Sequence, residues 1–180
     1  AGDRQTGFIG DNEAELSLHL FCDADFAGDS MTQRSTSGVH LAIHGEHSIF
    51  PLQGLSAKQS AVAFSTPEAE FYAGCEGYRK VMIPALCLWD VLGPGMRVPM
   101  FHEDNQAMIT GKHTAQNSTM RSSPRTHGVD VQMLHEHFAC VWPKLVFETT
   151  TRMSADLFSK PFTDVIKWKK AIWLINAVQS

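Results

Sequence analysis

No apolar run in this 180-residue sequence approaches the roughly 20 residues that span a bilayer. A membrane-spanning helix is therefore not expected. The opening AGDRQTGFIGDNEAE is polar and acidic, which is unlike a secretory leader. Cysteine is scarce as well: Cys22, Cys75, Cys87 and Cys140 stand far apart with no CxxC or CxH spacing. Neither a thiolate zinc site nor a disulfide framework is expected, and a reducing, intracellular setting fits best. Basic residues are not in excess, because 15 Lys and Arg face 19 Asp and Glu for a net charge of −4. A partner bound through many phosphate contacts is thereby disfavoured, except where acidic ligands are offset by bound divalent cations. The chain opens on Ala1 rather than methionine, which leads us to expect further domains upstream.

What is present fits one domain, since 43% of residues are apolar and a chain of this length buries a sizeable core. We expect a linker or disordered end over residues 1–15, a folded unit over 16–163, and a C-terminal amphipathic helix or tail over 164–180. Leu16, Leu18, Leu20 and Cys22 alternate with Ser17, His19, Phe21 and Asp23 at the period of a strand. GVHLAIHG and HSIFPLQ read as two more strands joined across Gly45-Glu46. Ser65 and Glu68 form a capping-box pattern with Pro67 in the first turn, ahead of Phe71, Cys75, Tyr78, Met82, Leu86 and Trp89 at helical spacing. Pro84 is expected to kink that helix.

Further on, RVPMFHED reads as a strand, NQAMITGK as a short helix, and residues 112–128 as a basic loop. DVQMLHEHFACV is expected as a helix and KLVFETT as a strand. SADLFSK reads as a helix capped by Ser154 and stopped by Pro161. WKKAIW belongs to an amphipathic segment whose apolar side is expected to dock on the sheet. The order β-β-β-α-β-α-α-β-α predicts an α/β or α+β layered fold.

Four acids stand at element ends. Each has an ordinary reading: Asp23 in a turn, Glu70 on a solvated helix face, Asp104 or Asn105 as a cap, and Asp156 complementing a helix dipole. Together, Asp23 and Asp104 end strands while Glu70 and Asp156 begin helices, so the four can converge if those strands are neighbours. Oxygen ligands without histidine or thiolate suit Mg²⁺ or Mn²⁺, and two such ions promote in-line phosphodiester hydrolysis. His135 and His137 face different directions on a helix, so no shared ion is expected there.

Seven blocks occur in order: CDADFAGD at 22–29, QRSTSG at 33–38, AKQ at 57–59, FSTPEAEFYA at 64–73, EDNQ at 103–106, RTHGVDV at 125–131 and ADLFSKPF at 155–162. In them the chain resembles the ribonuclease H domain of Ty1/copia-type retrotransposon polyproteins, whose pattern is DADWAGD, RRSTSG, KKQ, SSTEAEY, CDNQ, RTKHIDV and ADxFTKP. The resemblance implies an α/β, ribonuclease H-like fold with a five-stranded mixed sheet flanked by helices. It also implies a metal-dependent endonuclease that cuts the RNA strand of RNA:DNA hybrids during reverse transcription.

Asp23, Glu70, Asp104 and Asp156 are then the catalytic metal ligands for two Mg²⁺ or Mn²⁺ ions, with Asp23 bridging both. Arg34, Ser35, Lys58 and Asn105 are expected at the nucleic acid. Implied partners are the hybrid and upstream reverse transcriptase and integrase domains of the same polyprotein. The implied location is the cytoplasm, a virus-like particle or the nucleus. The chain departs from the pattern at Phe26, Ala57, Ser60, Gly128, Met153 and Pro84. A second class of function therefore stays open: an inactive or domesticated remnant that binds nucleic acid or is only structural.

Overall fold

The alternation around Leu18 and Leu20 forms the central strand of a five-stranded sheet. The computed structural model describes residues 4–92, 97–106 and 143–178. In it β1 is Arg4–Gln5, β2 Ser17–Asp25, β3 Thr36–Gly45, β4 Ser48–Lys58, β5 Met100–Glu103, β6 Lys144–Phe147 and β7 Ala177–Val178. The large sheet has the order β4-β3-β2-β5-β6. β2, β3 and β4 pair antiparallel, whereas β5 lies parallel to β2 and β6 parallel to β5. The sheet is thus the mixed, five-stranded kind expected.

β3 and β4 meet across Glu46-His47, one residue later than the sequence predicts, with Gly45 opposite Ser48. The register shifts at Leu41/Ala42, where Leu52 is the extra residue beside Pro51. Proline lacks the N–H a central strand must donate, and β4 is an edge strand where such an irregularity is tolerated.

α1 spans Thr66–Gly77. Ser65 accepts the Glu68 N–H at 3.3 Å, while the Glu68 carboxylate accepts from Phe64 N–H at 2.8 Å. The helical path continues through a π turn at Tyr78–Met82 into α2, Ile83–Leu92. Where the sequence predicts a kink at Pro84, the structure inserts this wider turn, in which Ile83 N–H bonds Tyr78 O. The ring of Pro84 crowds the carbonyl four residues back and offers it no donor, and an i→i−5 turn just upstream relieves that conflict. Phe71, Cys75, Tyr78, Met82 and Trp89 pack on Leu18, Leu20, Cys22, Val39, Leu41 and Phe101, forming the main core with Leu86 against it.

The other sheet face is also buried, contrary to a simple inside-outside alternation in β2. Phe21 packs with Met153 and Ala155. Short helix α3, Asp156–Ser159, packs on β3 and β2. Its first residue is preceded by Ala155, and Ser154 does not cap it as expected. The Ser154 hydroxyl instead shares a buried 2.9 Å hydrogen bond with His40 Nδ1, the polar partner that burial of both groups demands.

α4, Val165–Leu174, is capped by the Asp164 carboxylate, which accepts from Ile166 N–H and Lys167 N–H. Its Ala171 and Ile172 are buried, and Trp173 is exposed. β7 then pairs with β1, and Phe8 bridges to Ile49, so the segment ahead of β2 is hydrogen-bonded into the fold. The helix expected from Asn105 is described only to Gln106. The basic loop, the helix at 130–141 and the RTHGVDV block lie outside the described residues. No described helix is long and apolar enough to cross a membrane.

Candidate metal centre

The strand register brings the acids together. Phe21 pairs with His102 in the parallel β2–β5 ladder, so two residues onward Asp23 and Asp104 stand side by side on the same face. Glu70 arrives one turn into α1. The carboxylates of Asp23, Glu70 and Asp104 each offer an oxygen within 4.8 Å of the others. Neither histidine nor thiolate belongs to the group. Asp23 and Glu70 are buried, and Asp104 is half-buried.

Neighbours hold each carboxylate in place. Asn105 Nδ2 donates to Glu70 Oε2, and Thr150 Oγ1 donates to Asp104 Oδ2 at 2.8 Å. Ser159 Oγ donates to Asp23 Oδ2. Lys160 Nζ donates to Asp23 Oδ1 at 3.1 Å and to Asp156 Oδ1 at 2.8 Å. Asp156 therefore lies outside the three-carboxylate group and is linked to it through an ammonium. Of the four ligands the sequence predicts, with Asp23 bridging, three share one spot in the structure and Asp156 reaches them through Lys160.

Burial pushes the Glu70 carboxyl up to about 7, against the hydrogen bond from Asn105, and the charges of Asp23 and Asp104 push the same way. Asp156 rises to about 6, first through burial and against its hydrogen bond from Lys160. Burial opposes the charge on Lys160, but Asp23 and Asp156 outweigh it and hold the ammonium protonated. Converging acids out of water are costly without a cation. The oxygen-only donor set fits a hard divalent ion such as Mg²⁺ or Mn²⁺.

A consequence is measurable in the metal-free chain. The folded pKa of Glu70 lies above its ordinary 4.5, so its stabilising contribution is complete below that value and is lost as pH rises through about 7. Glu70→Gln removes the loss. At about pH 8 with a chelator, the variant is expected to be more stable by about 1–2 kcal/mol after solvent screening is allowed for. The gain should vanish near pH 5. Thermal melts at both pH values check this, and a gain independent of pH contradicts it.

The remaining site expectations are distributed differently. Arg34 is exposed in the 26–35 loop. Lys58 is exposed and pairs with Asp29. Asn105 lies at the carboxylates through Glu70, and its N–H donates to Glu103 Oε1 at 3.1 Å. Ser35, expected at the nucleic acid, is fully buried, and its hydroxyl accepts from Ala27 N–H at 3.2 Å. Its place is inside the loop, where Ala27 and Gln33 both have positive φ and the backbone relies on such support.

Sequence reasoning did not single out Glu103, Lys160 or the sheet histidines His40, His44 and His102. Glu103 is fully buried beside the cluster, and its carboxyl is pushed well up by burial and by the negative charge of Glu70 and Asp104. The available signal was its position in EDNQ, where the copia pattern has cysteine. On the sheet face opposite the main core His19 stacks with His44 and His102, and His102 with Phe21. Burial lowers His19 to about 2, His40 to about 3, and His44 and His102 to about 4. The Glu148 carboxylate, 3.3 Å from His102 Nδ1, does not reverse that direction, because burial dominates.

No protein-family model matches the chain. It is 26% identical over 148 residues to the "Retrovirus-related Pol polyprotein from transposon RE1" of Arabidopsis thaliana, covering 82% of this chain and 10% of that protein. Against the corresponding RE2 polyprotein of the same plant it is 25% identical over 150 residues, covering 83% and 10%. The chain thus spans about a tenth of the length of these relatives.

Among solved structures, the N-terminal RNase H domain of rv2228c from Mycobacterium tuberculosis aligns with TM-score 0.49 and 11% identity over 80% of this chain and 91% of that one. LC11-RNase H1 in complex with RNA/DNA hybrid aligns with TM-score 0.43 and 15% identity over 79% and 94%. In its five-stranded mixed sheet the chain matches the expected ribonuclease H-like fold, and in sequence it is similar to retrovirus-related Pol polyproteins of transposons over about a tenth of their length.

Proposed function

We propose that this chain hydrolyses the RNA strand of RNA:DNA hybrids with divalent metal, as the ribonuclease H part of a copia-type Pol polyprotein. The observation that carries the reading is the meeting of Asp23, Glu70 and Asp104 within 4.8 Å at the ends of two neighbouring parallel strands and the start of α1. These three hold the metal, with Asp156 at the margin. A bound Mg²⁺ or Mn²⁺ would supply Lewis-acid stabilisation of charge developing on the phosphate and would lower the pKa of the attacking water.

The protein's own part is orientation. Asn105 aims the Glu70 carboxylate, Thr150 aims that of Asp104, and Ser159 with Lys160 fixes Asp23. Preset ligands leave little reorganisation for the reaction itself. No side chain has to serve as a strong general base. Arg34 and Lys58 are the proposed phosphate contacts, with Asn105 close to the scissile position. Residues 16–163 form the proposed nuclease unit, which acts in the cytoplasm, a virus-like particle or the nucleus beside reverse transcriptase and integrase domains of the polyprotein.

Incubation with an end-labelled RNA:DNA hybrid and Mg²⁺ tests this. Expected products carry 5′-phosphate and 3′-hydroxyl ends, appear only with divalent ion, and stop with chelator. A hybrid left intact at all Mg²⁺ and Mn²⁺ concentrations overturns the proposal and leaves the remnant reading.

A further inference from the structure

We infer that Lys160 is a built-in cation of the site, whose ammonium fills the place between Asp23 and Asp156 that a second divalent ion would need. The resting chain then takes up one ion at Asp23, Glu70 and Asp104, and a second only when Lys160 moves out. This rests on the metal-dependent reading above and refines it.

The geometry is specific to the pair. Lys160 Nζ sits 3.1 Å from Asp23 Oδ1 and 2.8 Å from Asp156 Oδ1, both within charge-assisted hydrogen-bonding distance. The other Asp23 oxygen accepts from Ser159 Oγ. Asp156 contributes no oxygen to the three-carboxylate group, so its charge is answered by Lys160. An ion bridging Asp23 and Asp156 must occupy the position that Nζ holds.

Displacement is nevertheless feasible. The Lys160 side chain keeps about a third of its surface in water, at 34%, and its four-carbon stem can carry Nζ outward. A divalent ion gains from two carboxylates but must first break both ammonium contacts. Ion binding at the two places is therefore unequal. Once displaced, the ammonium stays on a short tether beside the site, where a substrate phosphate can take it up.

Counting bound Mn²⁺ on the full chain, by the paramagnetic resonance signal of the free ion, separates the outcomes without any nuclease readout. Wild type is expected to bind one ion per chain in the low-millimolar range. Lys160→Met should bind two, or tighten the weaker site by about tenfold or more, the size of effect seen when groups around a metal's ligands are altered. Lys160→Gln serves as a second variant that keeps polarity at the position. Adding Asp156→Asn to Lys160→Met should return the count to one. Equal stoichiometry and affinity in wild type, Lys160→Met and Lys160→Gln overturn the inference while leaving the metal reading intact. No Mn²⁺ bound by any of these proteins overturns both.

Discussion

Asp104→Asn is expected to lower hybrid cleavage by about a hundred- to a thousandfold while leaving the melting temperature unchanged or slightly higher. The rate falls because a neutral amide supplies neither the charge nor the second oxygen needed to hold a divalent ion, and loss of one preset electrostatic group typically costs two to three orders of magnitude. Stability is spared because Asp104 is half-buried among like charges, and removing one of them relieves repulsion. Asp23→Asn should behave the same way in the assay.

Asp156→Asn is expected to cost less, about ten- to a hundredfold, since Asp156 lies outside the three-carboxylate group and serves only the second, weaker ion place that Lys160 otherwise fills. Initial rates at saturating Mg²⁺ for the three variants check the ranking. An Asp156 loss as large as that of Asp104 would show that the fourth acid is an equal ligand after all.

The second large effect lies at a glycine, which has no side chain to offer the site. Gly38 pairs with Asp23 across β2 and β3, and the backbone of α3 rests directly on it. A Cβ there would sit 2.6 Å from Ser159 N and 2.9 Å from Ser159 Cβ, and closer still to Ala155 O. Two of those three atoms are backbone, so relief requires moving the whole of α3.

Gly38→Val is therefore expected to cost about 2–3 kcal/mol, the upper part of the usual range for an overpacked interior. For a chain of this size that lowers the melting temperature by roughly 5–10 °C. It should also reduce cleavage, because lifting α3 takes Ser159 and Lys160 away from Asp23. Gly38→Ala should show a smaller change in the same direction. A Val variant melting within a degree of wild type would mean that α3 is not seated as described.

The glycine of QRSTSG thus has a physical reason that no local pattern reveals. In the sequence it reads as the start of a strand, where glycine has little to recommend it. Only the packing of a helix more than a hundred residues later explains it. The same holds for Ser154, which local spacing makes a helix cap and which tertiary packing gives to the buried His40 ring. Residues 17, 19, 21 and 23 alternate with the core-facing set, yet α3 and Met153 bury much of their face. The histidines there are kept neutral by that burial.

The sequence by itself determined the central strand, the hairpin partners, the capped helix over Thr66–Gly77 and the set of acids available for a metal. Those features depend on alternation, capping and turn preference among residues close along the chain, and near neighbours impose them wherever the segment is placed. Tertiary structure decided which acids act together. Parallel pairing of β2 with β5 set Asp23 beside Asp104, α1 delivered Glu70, and the seat of α3 on Gly38 put Lys160, rather than open space, between Asp23 and Asp156. Distances between side chains far apart in sequence follow from strand order and helix seating, and no single segment carries that information.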